Sequence, residues 1–168
     1  MEILQRILQY AEDAKHHFLS ISYVSPRGGI LWTGVPADFY WGFAMWETDL
    51  RKRRDLLEKA VSDGTHAIKL AEETGYPDII SLAYHVLSKA LVSLAQIETN
   101  LEEKKRLLEK AWEPRKKAIE ITEQIEPHSH WNRGVMWNYL ADLKAELSNV
   151  EKDFEHRKSM LEEAASDK

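Results

Sequence analysis

Cysteine is absent from all 168 positions, which excludes disulfides, thiolate zinc sites and a cysteine nucleophile together. No apolar run approaches the roughly 20 residues that a membrane helix needs. The N-terminal stretch MEILQRILQYAEDAKHHF alternates apolar with charged residues and lacks the apolar segment of a signal peptide. Positive charge is not in excess either: 23 Lys and Arg stand against 28 Asp and Glu, a formal charge of −5, which argues against a generic nucleic-acid binder. The chain also has no P-loop, no G-x-G-x-x-G, no G-x-S-x-G and no H-E-x-x-H. These absences lead to the expectation of a soluble, cytoplasmic protein without catalysis, cofactor or membrane partner.

What is present is a folding chain. It is 43% apolar and 30% charged, enough for one domain with a core and a solvated surface. It also repeats itself. Ala44-Met45-Trp46-Glu47-Thr48-Asp49-Leu50 leads into RKRRDLLEKA, ending at Ala60. Ala95-Gln96-Ile97-Glu98-Thr99-Asn100-Leu101 leads into EEKKRLLEKA, ending at Ala111, 51 positions later without a gap. A weaker third copy starts at Ala145 and ends with HRKSMLEEA at Ala164. Such self-similarity marks tandem supersecondary units.

Within each unit the apolar period is that of a helix. Between Asp78 and Gln96 the stripe takes in Ile79, Ile80, Leu82, Ala83, Val86, Leu87, Ala90, Leu91, Leu94 and Ala95, wide enough to be packed on two sides. From Leu101 to Ile125 it is narrower, so one side faces water. Turn signals fall at Gly75-Tyr76-Pro77, Glu98-Thr99-Asn100, Pro127-His128-Ser129 and Ser148-Asn149. Helices are therefore predicted near 2–22, 37–47, 50–74, 78–97, 101–126, 130–148 and 151–165, with Ser25-Pro26-Arg27-Gly28-Gly29 read as a loop. Asp63-Gly64 and Pro114-Arg115 occupy matching places in successive long helices, and a bend is expected at each.

The spacing of particular residues resembles the tetratricopeptide repeat family. Tyr84, Leu87 and Ser88, and again Trp137, Leu140 and Ala141, match the aromatic, Leu and small residue of its first helix. Ala60 with Ala67, and Ala111 with Ala118, match the paired alanines of its second helix, and Pro77 and Pro127 its closing proline. The resemblance covers about residues 37–168. The repeat here is longer by about 17 residues than the standard 34, and Gly64 and Arg115 replace the aromatic between the alanines. The resemblance implies an all-α fold of about seven helices, antiparallel pairs stacked as a short right-handed solenoid. It implies units at about 37–77, 78–127 and 128–168, with residues 1–36 as an N-terminal helix and aromatic loop packed on the array. It also implies a non-enzymatic scaffold that binds a peptide or a partner helix in a groove lined by first helices. The family's groove positions fall on Leu82, His85, Lys89, Val92 and Ser93, then on Val135, Asn138, Asp142, Ala145 and Glu146. Members that clamp a peptide carboxylate carry Lys, Arg and Asn at several of these. Only Lys89 and Asn138 fit, and Asp142 opposes a carboxylate, so such a clamp is not expected here. The other reading of Lys89 and Asp142 is that they pair with each other.

A second candidate site is the aromatic run with Trp32, Phe39, Tyr40, Trp41, Phe43 and Trp46. Its residues Trp32, Tyr40, Trp41 and Trp46 either cap the end of the array against helix 2–22 or form a small-molecule or effector pocket. The basic run Arg51-Lys52-Arg53-Arg54, with Lys104-Lys105-Arg106 and Arg115-Lys116-Lys117, reads as a solvated face balanced by glutamates, with an acidic-partner stripe as the alternative. His16-His17 and His128-x-His130 lack a carboxylate at dependable spacing, and no metal site is expected. The third unit stops short of a polar capping helix, which leaves its C-terminal edge as an expected surface for a second copy or a partner.

Overall fold

A computed structural model of the chain describes residues 6, 9–10, 12–13, 26–125, 130–151 and 154–166. Among these the chain is all-helical: α1 Pro26–Trp46, α2 Leu50–Thr74, α3 Pro77–Gln96, α4 Leu101–Ile125, α5 His130–Val150 and α6 Phe154–Ser166. About seven helices were expected, and six are described. The remaining one, predicted at 2–22, falls mostly outside the described residues. Each helix packs on the next in sequence, and α1 also packs on α3.

The turns are built by short polar side chains. The Asp49 carboxylate caps α2, accepting from the backbone N–H of Arg51 at 2.9 Å and of Lys52 at 3.3 Å. Asn100 caps α4 in the same way, through Glu102 at 3.0 Å and Glu103 at 3.1 Å. Two residues before each cap, Glu47 and Glu98 accept from the cap's own N–H at 3.0 Å. Gly75, with φ of 68°, closes α2 in the left-handed region, where only glycine is free of strain, and Pro77 opens α3.

Small residues let the helices approach. Ala60, Ala67, Ala71, Ala111 and Ala118 are fully buried. The Ser88 hydroxyl donates to the Ala111 carbonyl at 3.0 Å and Ser81 to that of Ala118 at 2.9 Å. Seven residues along α3 are thus matched by seven backwards along α4, which makes the pair antiparallel. Leu57, Leu87, Leu91, Leu94, Leu107, Leu108, Leu143 and Leu147 form the main core between α2, α3, α4 and α5. Ile119 and Leu140, expected inside, are buried as well.

Two expectations change. The first helix was predicted at 37–47 with a loop at 25–29, whereas α1 begins at Pro26 and runs through Gly28, Gly29 and Pro36. Proline suits a first helical turn, and two glycines cost only about 1 kcal/mol each, which packing can override. Finally, α3 is long and apolar enough, by length and composition, to cross a membrane, although no such run was expected from the sequence. Some 72% of that stretch is buried inside the fold, the environment of a core helix.

Glutamates balance much of the first two basic runs, Glu103 among them as expected. Arg54 pairs with Glu98 at 3.0 Å, Lys104 with Glu146 at 3.5 Å, and Lys105 with Glu151 at 3.1 Å. Arg106 pairs with Glu103 one turn back. The first three tie one helix or turn to its neighbour. Water screens these surface pairs, so each adds little to stability.

Candidate functional site

The odd-numbered helices α1, α3 and α5 come together at a cleft of about 190 Å³. Trp41 and Met45 enter from α1, Lys89, Val92, Ser93 and Gln96 from α3, and Tyr139 and Asp142 from α5. Arg115 of α4 lies at its base.

Each wall is held in place. The Trp41 indole N–H donates to the Ser93 hydroxyl at 2.9 Å, and that hydroxyl faces the Met45 sulfur at 3.8 Å. The Lys89 ammonium lies 3.5 Å from the centroid of the Trp41 ring and pairs with Asp38 at 2.9 Å. An ammonium over an indole face is favoured by the ring's quadrupole, more strongly as water is excluded. Trp41, Asp38 and Lys89 thus form one unit across α1 and α3.

The base is more unusual. Arg115 is 1% exposed, and no hydrogen-bond partner reaches its Nε. Its Nη1 donates to His85 Nδ1 at 2.6 Å, and its guanidinium carbon lies 4.9 Å from the Tyr139 ring centroid. The edge of the His85 ring meets Tyr139 at a centroid distance of 5.1 Å. Burial holds the Arg115 pKa down to about 10, partly offset by Tyr139 and Asp142. It remains a cation at neutral pH. Since Arg115 can only donate, His85 must accept through Nδ1 and carry its own proton on Nε2.

Burial, then Arg115 and Lys89, push the His85 pKa down to about 3. An unfolded histidine protonates near its ordinary value of about 6.5. Between these values the unfolded chain binds more protons than the folded one. Stability from this group is therefore complete above pH ~6.5 and is lost as the pH falls toward ~3. His85→Gln keeps an acceptor for Arg115 but does not titrate. Its melting temperature should fall less than that of the wild type between pH 7 and pH 4, a difference that thermal melts across this range would read.

The expected groove residues divide. Lys89, Val92, Ser93 and Asp142 line the cleft, with His85 beneath it against Arg115. Leu82 and Asn138 are exposed and lie outside it. Glu146 pairs with Lys104 and accepts from Gln96 at 3.3 Å. Lys89 pairs with Asp38, so the pairing of Lys89 with Asp142 is corrected.

The described aromatic residues of the run take different surroundings. Tyr40 is buried, donates to Glu12, and has its own pKa raised by that burial and by the Glu12 carboxylate. Trp41 turns instead to α3. Trp46 is 85% exposed, and the packing against helix 2–22 expected for it lies outside the described residues. The Trp32 side chain, His16, His17, His128 and the His130 side chain lie outside the described residues.

Arg115, expected on a solvated or acidic-partner face, and Tyr139, not singled out in the sequence, join the cleft. A signal existed for Arg115: it lies four residues after Ala111 and three before Ala118, on the apolar stripe of α4. Tyr139 likewise lies four residues before Leu143 on the stripe of α5.

No family model matches the chain, and no curated protein matches it significantly. Among solved structures it is similar to one named DHF58 filament, with a TM-score of 0.54 and 19% identity over 98% of this chain and 82% of that one. A second, named DHF119 filament, aligns over 98% of this chain and 83% of its own, at 20% identity and a TM-score of 0.46. At such identities the first likeness extends to the all-helical fold and to nothing beyond it.

Proposed function

We propose that this chain is a non-enzymatic interaction module, an extended cousin of the tetratricopeptide repeat stacked as a short right-handed solenoid, that docks a peptide or partner helix in the cytoplasm. One observation carries this reading: α1, α3 and α5, the first helices of the three sequence units, supply the walls of one cleft. The cleft's volume, about 190 Å³, is below the ~300–1,000 Å³ usual for an enclosed small-molecule site. That favours docking over enclosure of a small molecule at this cleft. Its walls are already fixed by the Trp41–Ser93 and Lys89–Asp38 contacts, so little ordering entropy is lost on binding.

Val92→Arg places a long cation on the half-buried α3 wall without touching the main core. Peptides selected from a random library on the intact chain should lose binding to this variant while its melting temperature stays within a few degrees. Retention of every selected peptide would remove the cleft from consideration.

A second reading, self-association through the last helix, is favoured by a shallow depression of about 480 Å³ along α6, where Leu161 is 43% exposed. The similar structure with a TM-score of 0.54 is named as a filament, in keeping with that reading. Sedimentation of the wild type above the monomer mass, reverting to monomer in Leu161→Glu, is the expected result. A wild type that is monomeric at high concentration rules it out.

A further inference from the structure

The base of the cleft holds a buried guanidinium that makes no direct ion pair among the described residues. Among the described residues no carboxylate forms an ion pair with Arg115. Its polar contact is the neutral His85, and its Nε has no hydrogen-bond partner although the side chain is almost wholly buried. Burying a charge costs heavily unless it is paired, so a native chain seldom keeps such a group inside without a use for it. Lys89 is already matched by Asp38. Asp142 is exposed on α5, at the mouth, and acts on Arg115 only through its field.

We propose that the cleft docks an amphipathic helix of a partner protein through one acidic side chain, whose carboxylate settles against Arg115. The inference rests on the groove reading above and names the chemistry that the groove selects. Arginine has five N–H donors in a planar fork, of which His85 takes one. An entering carboxylate accepts from donors left over and forms the charge-assisted bonds that the fold itself does not supply. Trp41, Met45 and Val92 offer apolar wall to the neighbouring residues of the incoming helix. Asp142 at the mouth disfavours a second negative charge, so the fit is to a single acidic residue in an apolar face rather than to an acidic run. This differs from the carboxylate clamp considered from sequence, because the decisive cation comes from a second helix.

The test uses two peptides of about eighteen residues, long enough for helix formation. Both are built from alanine, leucine and lysine, and one carries a central Glu on its leucine face where the other carries Gln. Each is titrated into the full ¹⁵N-labelled chain, following affinity and the Arg115 Nε–Hε resonance. The Glu peptide should bind about tenfold tighter, equal to ~1.4 kcal/mol, and shift that resonance. Asp142→Asn should tighten Glu-peptide binding severalfold and leave the Gln peptide unchanged. Arg115→Met should erase the preference. If that variant does not fold, the Asp142→Asn comparison decides. Equal binding of both peptides at the cleft overturns the carboxylate inference and leaves the groove reading standing. Binding of neither overturns both.

Discussion

Leu108→Ala should lower the stability of the chain by about 2–5 kcal/mol, the range for a leucine truncated to alanine in a closed core. Leu108 has no exposed surface. It sits in the main cluster with Leu87, Leu91 and Leu94 of α3 and Leu143 and Leu147 of α5. Removing its isobutyl group loses the transfer free energy of the buried carbons. It also leaves a void that helices locked by the Ser88–Ala111 and Ser81–Ala118 hydrogen bonds cannot easily close. The upper half of the range is therefore expected. Urea unfolding of wild type and variant, compared at equal m-value, gives the number. A loss under about 0.5 kcal/mol would place Leu108 outside the core.

The second large effect is expected at Gly64, where α2 passes close to α3. An ideal Cβ built there would lie 3.3 Å from the Leu87 Cα and 3.4 Å from its Cβ. The first of these neighbours is backbone and can yield only if a helix moves. Two terms oppose each other in Gly64→Ala. Helix propensity gains about 1 kcal/mol, and overpacking costs about 1–3 kcal/mol. The net result is a loss of up to about 2 kcal/mol. Gly64→Leu adds further carbons at the same contact and should cost about 3 kcal/mol or more. Chemical denaturation of the two variants separates the terms, since only steric cost grows with side-chain size. A Gly64→Ala chain more stable than wild type would show that the helices do not meet there as described.

The contact also explains a position that the sequence leaves ambiguous. Gly64 reads as a weak point in a helix, where a bend is expected. In the structure it permits α3 to pass close by, and α2 continues through it. Propensity alone cannot tell a hinge from a packing notch, because both ask for the smallest residue.

Several elements were legible locally. The helices predicted at 50–74, 78–97, 101–126, 130–148 and 151–165 correspond to Leu50–Thr74, Pro77–Gln96, Leu101–Ile125, His130–Val150 and Phe154–Ser166. Their signals are short-range: a 3.6-residue apolar period, the Asp49 and Asn100 caps, and Gly75 before Pro77. The start of α1 was not legible, because Pro26-Arg27-Gly28-Gly29 has the composition of a turn and its helical state depends on context beyond it. The cleft was legible only in part. The family resemblance pointed to Lys89, Val92 and Asp142 but also to Leu82, Asn138 and Glu146, which do not line it.

The all-helical class, most helix limits and the buried leucine stripes follow from interactions within a few residues along the chain. The tertiary structure sets the pairing of Lys89 with Asp38, 51 residues away, and its place on Trp41. It likewise decided that Arg115, part of an apparently solvated basic run, lies buried between His85 and Tyr139. Such partners are chosen by the approach of whole helices. The charge of a residue is written in its name, but whether it meets water, an aromatic face or an opposite charge depends on which elements the core brings together.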